Sequence, residues 1–180
     1  TVYPDFSKAF DKVDIGILCH KLKDLGIHGN LALWIFNFLT NRKQAVIVNG
    51  AKSSSSSVSS GVPQGTVLGP LLFLIMINDI DENITKSIIS IFADDTRVTK
   101  TINTEEDLEL FQEDLDKLYY WAENNNMTFN GTKFELLRYG HNEELKTATN
   151  YLTSDANDII EEKKTLPDLG VIMNHKVCSQ

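Results

Sequence analysis

Cysteine is scarce in this 180-residue chain. Cys19 and Cys178 lie far apart, which excludes a disulfide scaffold and a CxxC zinc site. His175 and Cys178 form an H-x-x-C with no second half to complete a zinc coordination set. Long apolar runs are missing as well. The longest, from Leu71 to Ile77, is stopped by Asn78 and Asp79, far short of the ~18 residues a spanning helix needs, and no membrane partner is expected. No secretory or targeting stretch is present. Glycine and proline, 10 and 4 residues, are too few for a collagen or a low-complexity chain. There is no Walker-type or dinucleotide glycine loop, and no Ser-His-Asp arrangement suggests itself. An initiating methionine is absent too: the chain opens at Thr1 in a β-prone segment and reads as a piece of something longer.

An excess of positive charge is the last absence. The chain has 17 Lys/Arg against 25 Asp/Glu, a net charge of −8. Residues 1–100 are nearly balanced, and the acidic surplus falls in residues 101–180. An acidic surface repels phosphate backbones, so composition by itself argues against a nucleic-acid partner. What is present is ordinary for a globular domain: 42% hydrophobic and 23% charged residues. One domain is the expectation at this length, able to bury roughly 70% of its unfolded surface.

Val2–Phe6 is short and β-prone. Leu18, Leu22 and Leu25 recur at helical spacing after Ile15, with Gly26 as a natural stop. Asn30–Leu39 reads as a second helix. Gln44–Val48 reads as a strand, Asn49-Gly50 as a hairpin turn, and Ser53–Ser59 as the return arm, with a serine linker as the alternative. Gly61–Gly65 is loop. Gly69-Pro70 leads into an apolar helix with proline in its first turn, expected to be buried because it is apolar on every side. Ile88–Phe92 and Thr96–Lys100 form a hairpin around Ala93-Asp94-Asp95. Thr104 and Asp107 cap the next helix, whose core stripe is Leu108, Phe111, Leu115, Leu118 and Ala122. Phe134–Tyr139 and Leu169–Met173 are further strands. Helices and strands mix without βα alternation, so the fold class is α+β.

Three features bear chemistry, and each has a plain alternative. Asp94-Asp95 places two mutually repelling carboxylates at the turn of an apolar hairpin. Such a pair is stable when solvated, as Asp commonly is in turns, or when a divalent cation neutralises it. Mg²⁺ takes one or two carboxylates plus substrate phosphates. Asp5 ends a short strand, where a cap is equally ordinary. In Gly61-Val62-Pro63-Gln64-Gly65, two glycines let backbone approach a ligand and Gln64 offers a donor and an acceptor. A plain loop uses the same residues.

Taken in order, three blocks resemble motifs A, B and C of a reverse transcriptase. They are Asp5-Phe6-Ser7-Lys8-Ala9-Phe10-Asp11-Lys12-Val13, Ser60 to Phe73, and Phe92-Ala93-Asp94-Asp95. More narrowly the chain resembles the polymerase of a non-LTR (LINE-type, jockey-like) retrotransposon. Trp34–Leu39, Asn41–Gln44 and Val48–Gly50 fit between the blocks, and Trp121, Asn130–Lys133, Leu137–Gly140 and Asp168–Val171 resemble later palm motifs. The resemblance covers nearly the whole chain.

That resemblance implies an RNA-directed DNA polymerase, adding a dNTP to a primer 3′ hydroxyl with two Mg²⁺ ions, or Mn²⁺ in their place. Asp5, Asp94 and Asp95 would be the converging carboxylates, Asp95 as a ligand or as electrostatic support. Lys133 falls where the family carries a lysine near the pyrophosphate, a general-acid position. Phe6 and Phe10 are implied in substrate contact, Phe10 as the ring that blocks a 2′ hydroxyl, with a core aromatic as the plain alternative. Gln64 and Gly65 would contact nucleotide and template.

The implied fold is a polymerase palm, a ferredoxin-like antiparallel sheet with packed helices, carrying a helical and hairpin fingers insertion. Residues 1–14 would be the first catalytic strand, 15–60 partial fingers, 61–140 palm with the metal-site hairpin, and 141–180 the end of the palm. On that reading, upstream fingers and thumb would be absent from this chain. Implied partners are an RNA template, a DNA primer and dNTP, with fingers, thumb and an endonuclease elsewhere in the same polyprotein. The implied setting is intracellular, cytoplasm and nucleus. The acidic helix from Thr104 to Glu123 is expected to face solvent away from nucleic acid, which answers the charge objection. Pro4 and Ile15 depart from the family pattern, and Pro4 removes a backbone donor beside Asp5. The isolated fragment is expected to be inactive. The competing reading is a catalytically inactive remnant or nucleic-acid-binding module that keeps the fold.

Overall fold

The computed structural model describes residues 1–130, 133–140, 151 and 159–175; Cys178 and much of the expected palm end lie outside them. In chain order the described elements are β1 (Val2–Tyr3), α1 (Ala9–Lys12), α2 (Ile15–Asp24), α3 (Gly29–Leu39), β2 (Arg42–Gln44), β3 (Ile47–Val48), β4 (Ala51–Lys52), β5 (Ser56–Val58), α4 (Leu68–Ile77), β6 (Ile88–Phe92), β7 (Asp95–Thr99), α5 (Glu105–Asn124), β8 (Glu135–Leu137), β9 (Glu161–Lys163), β10 (Thr165–Asp168) and β11 (Val171–Asn174). The chain divides into two compact units, one of Thr1–Ser7, Ile80–Asn124 and Thr128–Gln180, the other of Lys8–Asp79 and Asn125–Met127. No described helix is long and apolar enough to cross a membrane.

The first unit holds a five-stranded sheet in the order β6-β7-β1-β8-β9. Its pairs are antiparallel except β8–β9, which is parallel. This mixture of helix and antiparallel sheet is the α+β class the sequence pattern implies. The central strand β1 is only two residues long, because the buried Pro4 has no N–H to extend the ladder. Pairing resumes at once: Phe6 bridges Phe129, the Ser7 amide donates to Thr128 O at 2.8 Å, and the Asn130 amide donates to Asp5 O at 2.7 Å. Pro4 therefore interrupts the strand while the backbone of Asp5 stays tied down.

Helix α5 supplies the other half of this core. The Thr104 hydroxyl accepts from the Asp107 amide at 3.3 Å, and the Asp107 carboxylate accepts from the Thr104 amide at 3.0 Å, the reciprocal cap read from the sequence. All five stripe residues are buried. Tyr119 and Trp121 extend the stripe, meeting Phe129, Phe134 and Phe6 edge-on or tilted. Asp114 lies wholly buried on the same helix. It accepts from the Lys86 amide at 2.9 Å and from Lys117 Nζ at 3.1 Å, which ties the segment before β6 to the helix. Burial pushes its carboxyl up, but the hydrogen bonds to Lys117 and the Lys86 amide more than offset this and hold it below the usual carboxylate value.

The second unit comprises α1 to α4 and the two-stranded ribbons β2–β5 and β3–β4. Asp14 caps α2 by accepting from the Ile17 amide at 3.0 Å. Lys21 of α2 donates to Met76 O at 2.7 Å and to Asp79 at 2.5 Å, placing a cation on the open carbonyl end of α4. The single hairpin expected after Gln44 is two ribbons. Asn49 and Gly50, both at positive φ, close β3–β4 tightly as a primed turn requires, while β2 pairs with β5 and only Ser56–Val58 of the serine arm is strand. Helix α4 also departs from expectation. Leu72, Phe73, Met76 and Ile77 are buried, but Leu71 and Leu74 are about half exposed; a helix apolar all round carries no periodic cue to its buried face.

Asp114→Ala is expected to lower unfolding free energy by about 1–3 kcal/mol, because the Lys86 amide loses its acceptor. The folded carboxyl titrates below its unfolded value, so its contribution is complete above the ordinary carboxylate pKa and is lost as pH falls through the folded one. Denaturant curves from neutral to acid pH are expected to show that loss in the parent and its absence in the variant.

Candidate functional site

Strands β6 and β7 join through the two-residue turn Ala93-Asp94, closed by the Phe92–Asp95 pair. The turn is one residue shorter than expected, and Asp95 opens the returning strand. Ala93 has φ 54°, a left-handed conformation that costs an L residue about 1–2 kcal/mol and that glycine usually takes in such turns. Asp94 and Asp95 are exposed at the tip. Asp5, fixed by its main-chain bond to Asn130, meets Lys133 Nζ at 3.3 Å.

These groups belong to one unit, and Asp5, Asp95 and Lys133 share one cleft, with Asp94 next to Asp95 in the turn. An open cavity of about 610 Å³ is lined by Asp5, Asp95, Lys133, Arg97 and Asp168, among others. Although Asp95 is exposed as a residue, the cleft wall partly desolvates its carboxyl and pushes it up, and the negative charges of Asp94, Asp5 and Asp168 add to this. Carboxylates from separate segments thus act on one another across a short range. Among the described residues, no group of three or more His, Cys, Asp or Glu is gathered tightly enough to hold a metal ion. The donor chemistry suits a hard divalent cation all the same: carboxylate oxygens are its preferred ligands, and the repulsion felt by Asp95 is what such a cation relieves.

The ring of Phe6, expected to contact substrate, is buried. It stacks on Phe129 at 4.3 Å and meets Trp121 edge-on at 6.4 Å, so an apolar core claims the side chain and only the main chain is left for a ligand. Reading the sequence also missed Arg97 and Tyr3. Arg97 Nη1 lies 2.8 Å from Asp168 Oδ2, and the Tyr3 hydroxyl donates to the same oxygen at 3.4 Å. One signal was available: Arg97 stands two residues after Asp95 and therefore on the same strand face.

Phe10, Gln64 and Gly65 belong to the second unit. Phe10 is half-buried and stacks on Phe73 at 4.4 Å. Gln64 is exposed, its Nε2 donating to Asp11 Oδ1 at 3.1 Å. The loop is stitched to the first block, with the Gly61 amide donating to Val13 O and the Val62 amide to Phe10 O, each at 2.8 Å. That approach requires glycine: Gly61 has φ 82°, and a Cβ there would lie 2.7 Å from the Asp11 carbonyl oxygen.

A sequence profile described as reverse transcriptase (RNA-dependent DNA polymerase) matches residues 2–172. The chain belongs to the reverse transcriptase family. It is 36% identical over 137 residues to the RNA-directed DNA polymerase from mobile element jockey of Drosophila melanogaster, covering 72% of this chain and 15% of that protein. The protein of the same description from Drosophila funebris is 35% identical with the same coverage. The probable RNA-directed DNA polymerase from transposon X-element of Drosophila melanogaster is 32% identical over 143 residues, covering 74% and 15%. The chain spans about 15% of the length of these curated relatives. Within this reverse transcriptase segment, Gly65 has φ 74° but open space around its Cα, so Gly65→Ala is expected to cost only the roughly 1–2 kcal/mol of the left-handed backbone. Gly61→Ala carries that cost and a further ~1–3 kcal/mol of overpacking. Melting curves of the two variants check the order.

Proposed function

We propose that this chain is the palm, with part of the fingers, of a non-LTR retrotransposon reverse transcriptase, acting with an RNA template, a DNA primer and dNTP. The observation that carries the reading is that Asp5, held by the Asn130 amide, and Asp95, opening the strand after the β6–β7 turn, line one cleft with Lys133, in a family whose relatives are named RNA-directed DNA polymerases. Asp5 and Asp94 are assigned as ligands of Mg²⁺, and Asp95 as a ligand or electrostatic support. When bound, a pair of such ions activates the primer hydroxyl and neutralises the leaving pyrophosphate. Lys133 stands at the same cleft as a candidate proton donor. Gln64, braced by Asp11, and Gly65 are assigned to nucleotide and template. Phe10, backed by Phe73, offers a stiff half-exposed ring suited to excluding a 2′ hydroxyl. Glu105, Glu106, Glu109, Glu113 and Asp116 are exposed on α5, which supports a solvent-facing acidic surface there. The absence of a tight metal cluster among the described residues is what favours the inactive-remnant reading.

Primer extension on RNA with Mg²⁺, by a chimera joining this chain to a relative's fingers and thumb, separates the two. An active parent and a loss of roughly a thousandfold in Asp94→Ala, the several kcal/mol that metal charge stabilisation supplies, are expected. An inert parent supports the remnant, and an Asp94→Ala variant as fast as the parent removes Asp94 from the ligand set. In the same chimera, Phe10→Val is expected to raise ribonucleotide use relative to dNTP by about 10–200-fold in kcat/KM. An unchanged ratio with a lowered melting point leaves Phe10 as a packing residue.

A further inference from the structure

Two carboxylates of the cleft carry cations of their own, and the pairs differ in kind. Asp168, its side chain 12% exposed, receives Arg97 at 2.8 Å and the Tyr3 hydroxyl at 3.4 Å on one oxygen. A guanidinium stays charged and holds its geometry, so this pair is fixed. Asp5 pairs with the Lys133 ammonium at 3.3 Å, with side chains 43% and 64% exposed. A flexible, strongly hydrated ammonium at such a site makes a weak, salt-screened pair. Asp94 and Asp95 are exposed at the β6–β7 turn, and Asp95 lines the same cleft.

From this contrast we infer that Lys133 is the resting counter-cation of Asp5 and yields that carboxylate to a divalent ion, whereas Arg97 keeps Asp168 out of the ligand set. The inference rests on the metal-site reading above. A divalent ion brings twice the charge of an ammonium to the same oxygen, and Lys133 reaches Asp5 through a long side chain with most of its surface in solvent, so exchange requires little rearrangement. Lys133 then competes with metal for Asp5 and sets the apparent metal affinity of the empty cleft. Once released, its ammonium is free to meet a phosphate.

Mn²⁺ binding to the chain itself, followed by the electron paramagnetic resonance of the free ion, tests this without any turnover. Lys163 is the internal control, because it lines the same cleft but pairs with Glu161 at 2.5 Å. Lys133→Gln is expected to tighten Mn²⁺ binding by about two- to fivefold, the scale of one exposed ion pair, and Lys163→Gln by clearly less. In an Asp5→Asn background, Lys133→Gln is expected to change nothing. Equal tightening by both lysine variants, an effect that persists in Asp5→Asn, or no tightening at all overturns the inference. If neither Asp5→Asn nor Asp94→Asn weakens Mn²⁺ binding, the metal-site reading itself fails, whatever the lysine does.

Discussion

Folding of the first unit brings Asp5, Asp95 and Asp168 from distant parts of the sequence to one cleft, where their like charges must be offset. Asp5 arrives by the main-chain pairing of residues 5–7 with 128–130, Asp94 and Asp95 by the strained β6–β7 turn, and Asp168 by the β10–β11 hairpin. An isolated cluster of this kind is unfavourable, and the unit offsets it locally with Arg97 and Lys133. The apolar scaffold behind it is correspondingly firm. Phe6, Phe129, Phe134, Tyr119 and Trp121 form an aromatic core at which the Asp5 segment is anchored.

The second unit follows a different logic. Its sequence signals are backbone signals: Gly61 allows the loop to close on Asp11, and the loop amides bond to Phe10 within α1 and to Val13 just after it. Gln64 and Phe10 are held as by-products of that closure, one by Asp11 and the other by Phe73. The geometry leaves each with a polar edge or ring surface to offer a ligand.

What was legible in the sequence divides along physical lines. Local rules read well: the Thr104 and Asp107 cap, the α5 stripe, the Asn49-Gly50 turn and the β6–β7 hairpin are set within a few residues of one another. Non-local pairing did not. Nothing in the sequence near Pro4 says that residues 128–130 will take over the pairing lost there, or that β10 will return Asp168 to Arg97. The half-exposed α4 was misread because its uniform apolarity hides which side packs. The packing of the Phe6 ring was not legible because a motif block gives a residue's neighbours without giving the direction of its side chain.

Convergence of Asp5 and Asp94 on a shared divalent cation is the central proposal. Anomalous diffraction from crystals of this chain soaked in Mn²⁺ tests it most directly. The account predicts a peak at metal–carboxylate distance from both side chains, about 2.0–2.6 Å for hard cations and oxygen, with Lys133 withdrawn from Asp5. A peak held only by other carboxylates, such as the exposed acidic face of α5 or Asp168, with the Lys133–Asp5 pair intact, would contradict it.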